Sequence, residues 1–202
     1  MFRQIIFEGQ IPYLKQIRKV LLLLAIIMPF SVFLFPREEA LYGQIGWYML
    51  VGVMAIRPLA DVLLPVKLLR TLVPLRKEFG IASYLFILAH FVAFPLMQNQ
   101  SIFKAIITPD YWNINNICGW GMWGMALAAP VFITSNMFAI IKLKKWWKYT
   151  QRFAYPFFIF GGIHVYLVKG MELFWPVIVV AILWIAAEIV KKSHIRLSDD
   201  QH

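Results

Sequence analysis

The chain has 202 residues, 61% of them hydrophobic and 15% charged, where a soluble domain carries about 45–50% and about 25%. That composition excludes an ordinary soluble globule. With no glycine-rich phosphate loop, Gly-x-Ser-x-Gly turn or cysteine cluster in the sequence, separate nucleotide-binding, hydrolase and metal-finger domains are excluded too. The net charge of +10 does not point to nucleic acid, because the basic residues are scattered between apolar segments instead of lining one soluble face. The single cysteine, Cys118, excludes an internal disulfide and an iron–sulfur cluster held by this chain alone.

In chain order, an N-terminal arm (residues 1–18) leads to a first apolar run, 20–35, with Arg3, Lys15, Arg18 and Lys19 ahead of it. The pattern has the outline of a signal peptide, but no small-residue cleavage site follows, so a retained helix is expected. Further apolar runs fall at 46–56, 79–97, 117–133, 153–168 and 174–190, and a polar tail at 192–202 ends the chain. At about 20 residues per crossing, a chain this short is filled by six spans. The expectation is an all-α membrane protein, a six-transmembrane-helix bundle forming a single domain over residues 1–202. Between the second and third runs, 57–78 is apolar but broken by proline, and is expected to lie on the membrane surface.

An even number of crossings puts both termini on one side, and lysine plus arginine decide which. Residues 1–19, the 57–78 and 134–152 connections and residues 191–202 hold seventeen of these residues. The other side holds three, Arg37, Lys104 and Lys169. Both ends are therefore expected in the cytoplasm. This bias accounts for the basic loops without a ligand, and Trp146 and Trp147 among their lysines read equally as an interfacial belt against membrane lipids.

Of four histidines, His194 and His202 fall in the polar tail. His90 and His164 fall inside the third and fifth apolar runs, where an ionisable group is costly and marks a functional site by default. Each lies about 11 or 12 residues beyond the cytoplasmic end of its helix, so at about 1.5 Å per residue both sit about 17 Å above that boundary. Zinc asks for four ligands and copper for softer ones, and neither set is available on these two helices at this depth. Haem supplies four nitrogens itself and leaves two axial positions, so one histidine from each helix completes it. Structural histidines bonded to Ser, Thr or backbone, and a proton relay, are the other readings. Ala89, Ala93, Gly161 and Gly162 would let a porphyrin approach the backbone, or serve plain helix packing.

At these residues the sequence resembles the ferric-reductase-like transmembrane family, nearest to the haem-binding membrane subunits of periplasmic methionine sulfoxide reductase systems. The resemblance covers most of the chain from about Gly46. It rests on Arg57-Pro58-Leu59, on Leu75-Arg76-Lys77-Glu78-Phe79-Gly80 leading to Tyr84 and His90, on Thr134-Ser135-Asn136, and on Trp147-x-x-x-Gln151-Arg152-x-x-Tyr155 leading to His164. It implies haem b held by His90 and His164 between the third and fifth spans, in a bacterial inner membrane. It also marks a departure: the position of Gln151 is commonly a histidine there, thirteen residues before the one matching His164. Its counterpart on the third helix is Lys77. One haem is implied and a second is not.

The implied role is electron transfer from a cytoplasmic flavin reductase or the quinol pool, through haem, to a periplasmic molybdopterin-type reductase. A flavin (FMN or FAD) or a quinone among the inner loops would meet Arg76, Lys77, Gln151 and Arg152. The external acceptor would dock on 98–116 and 169–173, near Tyr111, Trp112 and Trp175. Direct reduction of a ferric chelate or another small acceptor is the second reading, and a non-redox scaffold the third.

Overall fold

The computed structural model describes Ile11 and residues 13–199, with side chains through Ser193. Arg3 and His202, and the side chains of His194 and Arg196, lie outside the described residues. Ten α-helices follow in order among the described residues: α1 Leu14–Ile27, α2 Glu39–Val62, α3 Lys67–Leu72, α4 Arg76–Met97, α5 Ile102–Ile107, α6 Ile117–Ile133, α7 Met137–Leu143, α8 Lys145–Gln151, α9 Ala154–Lys169 and α10 Met171–Asp199. Proline shapes several of them. Pro29 tightens the end of α1 into a 3₁₀ stretch, Met28–Phe33, and Pro74 does the same ahead of α4. At the α9–α10 junction, Gly170 turns the chain at φ 66, a backbone region that L side chains enter at a cost.

Among the described residues, four helical stretches are long and apolar enough to cross a membrane: Leu14–Phe33, Pro36–Val62, Lys67–Met97 and Met171–Ser193. A fifth results if α6 and α7, bent by 88° at the Thr134–Asn136 break, count as one. The expected fifth run falls short because α9 has 16 residues, about 24 Å of helix against about 30 Å of hydrocarbon. The 57–78 stretch is also more helical than a surface loop: α2 extends to Val62, and α3 runs through a 3₁₀ turn into α4. Likewise α10 carries on past residue 192 to Asp199, where the sequence suggested a polar tail.

Side-chain contacts fix the direction of each rod. Arg18 on α1 reaches Glu78 at the start of α4 at 2.7 Å, and Ser31 meets Tyr42 at 2.8 Å. His90 near the end of α4 meets Glu39 at the start of α2, and His164 near the end of α9 meets Ile117 at the start of α6. Trp47 donates to Leu173 O and Trp184 to Met54 O, so α10 runs with α2. The six long helices therefore alternate in direction, with α2 against α4 and α6 against α9 as the closest pairs.

The core follows from this pairing. Trp47, Leu50 and Met54 of α2 pack with Phe157 and Phe158 of α9, Ala128 of α6 and Val180 of α10. Burying side chains of this size contributes about 1.5–3 kcal/mol each where they leave water. Between α2 and α4 the backbones are close: the buried Ser83 hydroxyl donates to Gly46 O at 2.8 Å, and a Cβ on Gly46 would stand 2.7 Å from Ile87 Cγ1. Outward-facing Leu, Ile, Phe and Trp side chains cover the perimeter, as lipid contact requires.

Candidate functional site

His90 and His164 come together. Their ring centres are 6.3 Å apart and their planes differ by 59°. Each imidazole is anchored in the same way, on a different helix pair. His90 Nδ1 is 2.8 Å from Glu39 O, and His164 Nδ1 is 2.9 Å from Ile117 O. A carbonyl can only accept, so in both rings the proton sits on Nδ1 and Nε2 keeps its lone pair.

Four residues beyond each accepting carbonyl, one turn along the same helix, stands a glycine. A Cβ on Gly43 would lie 3.1 Å from His90 Nδ1, and one on Gly121 would lie 3.2 Å from His164 Nδ1. Both rings thus lie flat against bare helix backbone. The α2–α4 and α6–α9 pairs carry matching devices: Glu39, Gly43 and His90 on one, Ile117, Gly121 and His164 on the other.

The two rings border a cavity of about 350 Å³ enclosed by α2, α4, α6 and α9. Its wall is mostly apolar and includes Trp47, Ile87, Phe94, Met125 and Gly161. The charged lining residues are Glu39 and Lys169, with His90 and His164 as the imidazoles. No three His, Cys, Asp or Glu side chains among the described residues are grouped to hold a metal ion. The facing donor set is two imidazole nitrogens, with Glu39 and Cys118 elsewhere in the lining. It suits a metal whose remaining positions are supplied by a planar ligand. Two imidazoles on opposite faces of one such metal, each bonded at about 2 Å, stand about 6 Å apart between ring centres.

Not every expected residue lines this space. Gly161 does, but Ala89 and Ala93 are buried against Val32, Tyr42 and Phe86, and a Cβ on Gly162 would face Val177 at 3.1 Å. Arg76, Lys77, Gln151 and Arg152 have different surroundings. Arg76 borders a separate apolar groove of about 440 Å³ between α1, α2 and α4, and its buried Nε has no hydrogen-bond partner among the described residues. Lys77 is exposed. Gln151 donates its amide to Thr134 Oγ1 at 3.0 Å and Val131 O at 3.3 Å, capping the end of α6. Arg152 stacks over Tyr149 at 5.2 Å. Toward the other end, Tyr111 lines the cavity and meets Phe94 edge-on, Trp112 donates to Ile106 O, and Trp175 is exposed.

Glu39, Gly43 and Gly121 are the site residues that sequence reasoning missed. The signal that could have found them is a glycine one turn after the start of each helix that faces a histidine helix.

An apolar helical bundle with two facing imidazoles on separate helix pairs defines an all-α membrane protein with an internal bis-histidine site. The chain belongs to the ferric reductase like transmembrane component family, whose model matches residues 22–162. It is also similar to a curated relative, the protein-methionine-sulfoxide reductase heme-binding subunit MsrQ of Rhizobium meliloti (strain 1021). The two are 26% identical over 165 residues, 78% of this chain and 71% of the relative. No solved structure matches.

Proposed function

We propose that this chain is a membrane b-type cytochrome subunit that binds one haem b through His90 and His164 and relays electrons to an acceptor outside the bacterial inner membrane. The observation that carries the reading is the pair of Nδ1-anchored imidazoles, 6.3 Å apart in a mostly apolar cavity. Bound haem supplies a one-electron ferric/ferrous couple. The protein's share is to fix both rings: the carbonyls of Glu39 and Ile117 set the tautomer, Gly43 and Gly121 give the rings room, and the apolar wall keeps water away. Lys169, the cation of the lining, would hold a propionate.

The alternating rods support six crossings with α6 and α9 as the shorter two, and the seventeen-to-three basic bias supports both termini in the cytoplasm. On this orientation the imidazoles sit toward the exterior, near the start of α2 and of α6. The donor side then falls at the Arg76 groove. Its apolar wall and one buried, unpartnered N–H suit a quinol, whose ring oxygen would accept from Arg76. A flavin would find less there, since Lys77, Gln151 and Arg152 are not among the residues that line the groove.

Similarity to a heme-binding subunit of a protein-methionine-sulfoxide reductase supports the acceptor proposed here, a periplasmic methionine sulfoxide reductase of molybdopterin type docking on 98–116 and 169–173. A reduced-minus-oxidised spectrum of the purified protein, with haem counted per chain, tests the cofactor; no Soret band would leave a scaffold. Reduced protein should reoxidise fast with the periplasmic reductase plus methionine sulfoxide, and slowly with either omitted. Equal rates without the reductase would favour direct reduction of a small acceptor.

A further inference from the structure

The two ligand devices match in every respect but one. Where α6 presents the apolar Ile117, α2 presents Glu39, and its carboxylate Oε2 stands 3.1 Å from His90 Nδ1, in addition to the backbone oxygen at 2.8 Å. His164 has the carbonyl of Ile117 alone. A carboxylate beside an apolar cavity in a membrane chain is costly to keep. The helix start does not require it either: Glu38 and Glu39 are both acidic there, Glu38 is exposed, and Glu39 alone turns inward, its side chain 23% accessible.

We propose that the Glu39 carboxylate is a positioning and tuning partner of His90, shared with the backbone carbonyl on one Nδ1–H, and that it holds the bound haem at a lower reduction potential than the two carbonyls alone would give. The inference rests on the haem reading above. The cause is electrostatic. A carboxylate drawing on Nδ1–H gives the imidazole partial anionic character and makes Nε2 the stronger donor, which favours ferric over ferrous iron. The arrangement is lopsided: His90 is the electron-rich ligand and His164 the ordinary one.

Two substitutions isolate the effect. Glu39→Gln keeps the size and an acceptor oxygen while removing the charge, and Glu39→Ile makes the His90 arm chemically the same as the His164 arm. Potentiometric titration of the haem spectrum in native membranes should shift the midpoint upward in both. The expected size is about tenfold in the reduction equilibrium, or about 59 mV for a one-electron couple. The midpoint is read only from haem that is bound, so partial loading does not obscure it. Glu38→Gln, which removes a nearby charge without a contact to His90, should move it less. An unchanged midpoint in E39Q and E39I, or an equal shift in E38Q, overturns the proposal while leaving the haem reading intact. A parent protein without haem overturns the reading itself.

Discussion

Gly43→Ala and Gly121→Ala should weaken haem binding without weakening the fold. A methyl group at residue 43 would stand 3.1 Å from His90 Nδ1 and 3.2 Å from its Cγ; at residue 121 it would stand 3.2 Å from both Cε1 and Nδ1 of His164. Ordinary contact begins near 3.4 Å, so each ring must retreat by a few tenths of an ångström. The retreat pulls Nδ1 off its carbonyl, at 2.8 or 2.9 Å, and carries the ring into the space left for iron. Losing one such hydrogen bond costs about 0.5–1.5 kcal/mol net, a roughly twofold to tenfold loss of haem affinity at about 1.4 kcal/mol per decade. In the fold itself the same lost bond is offset by alanine's advantage over glycine within a helix, about 0.5–1 kcal/mol. Haem titrated into detergent-solubilised apoprotein, followed at the Soret band, measures the first effect, and thermal unfolding of the apoprotein the second. Gly52→Ala is the control: it lies on α2, and a Cβ there meets nothing within 4 Å, so it should leave haem affinity unchanged. Parental affinity in both Gly43→Ala and Gly121→Ala would refute the idea that these glycines make room for the ligands.

His90→Ala and His164→Ala should each remove most of the bound haem, whereas His194→Ala should leave haem per chain unchanged; full loading of either cavity variant would sink the ligand assignment. Gln151→Ala should cost about 1 kcal/mol of stability through the lost cap on α6 and keep haem at one per chain, so two haems in the parent would contradict the role given to Gln151. Arg18→Ala leaves the buried Glu78 carboxylate without the two N–H donors at 2.9 and 2.7 Å that meet its Oε1. It should destabilise the bundle by about 1–3 kcal/mol, with Glu78→Gln in the Arg18→Ala background recovering part of that, both read by thermal unfolding in detergent.

The histidine pair was legible because a membrane interior admits so few ionisable groups, and equal depth on two helices is a count along one chain. The helical class and the lipid-facing perimeter were legible for the same reason: apolar runs of this length have few other fates. What holds the rings was not legible. Glu39 and Ile117 accept through backbone oxygen, which leaves no mark on side-chain identity, and Gly43 and Gly121 matter for a Cβ they lack, facing residues 47 and 43 positions away. Nor could the sequence show that Gln151 is taken up by Thr134, since that bond depends on the bend after α6. The shortness of α9 could have been counted: the apolar run 153–168 has the same sixteen residues' length as the helix Ala154–Lys169, fewer than the about 20 of a full crossing.

The doubled ligand device also bears on how the protein is assembled. Each half of the chain, α1 to α4 or α6 to α10, supplies one imidazole with its own carbonyl and glycine, and the halves already meet where α2 packs on α10 and in the shared core of Trp47, Leu50, Met54, Phe157, Phe158 and Val180. On the proposed function, a haem held by His90 and His164 would be a further tie between them, its binding energy added to that cohesion by mass action. A chain cut between α4 and α6 would leave one of the two histidines on either fragment, so the fragments should hold haem only where α2 and α10 bring them back together.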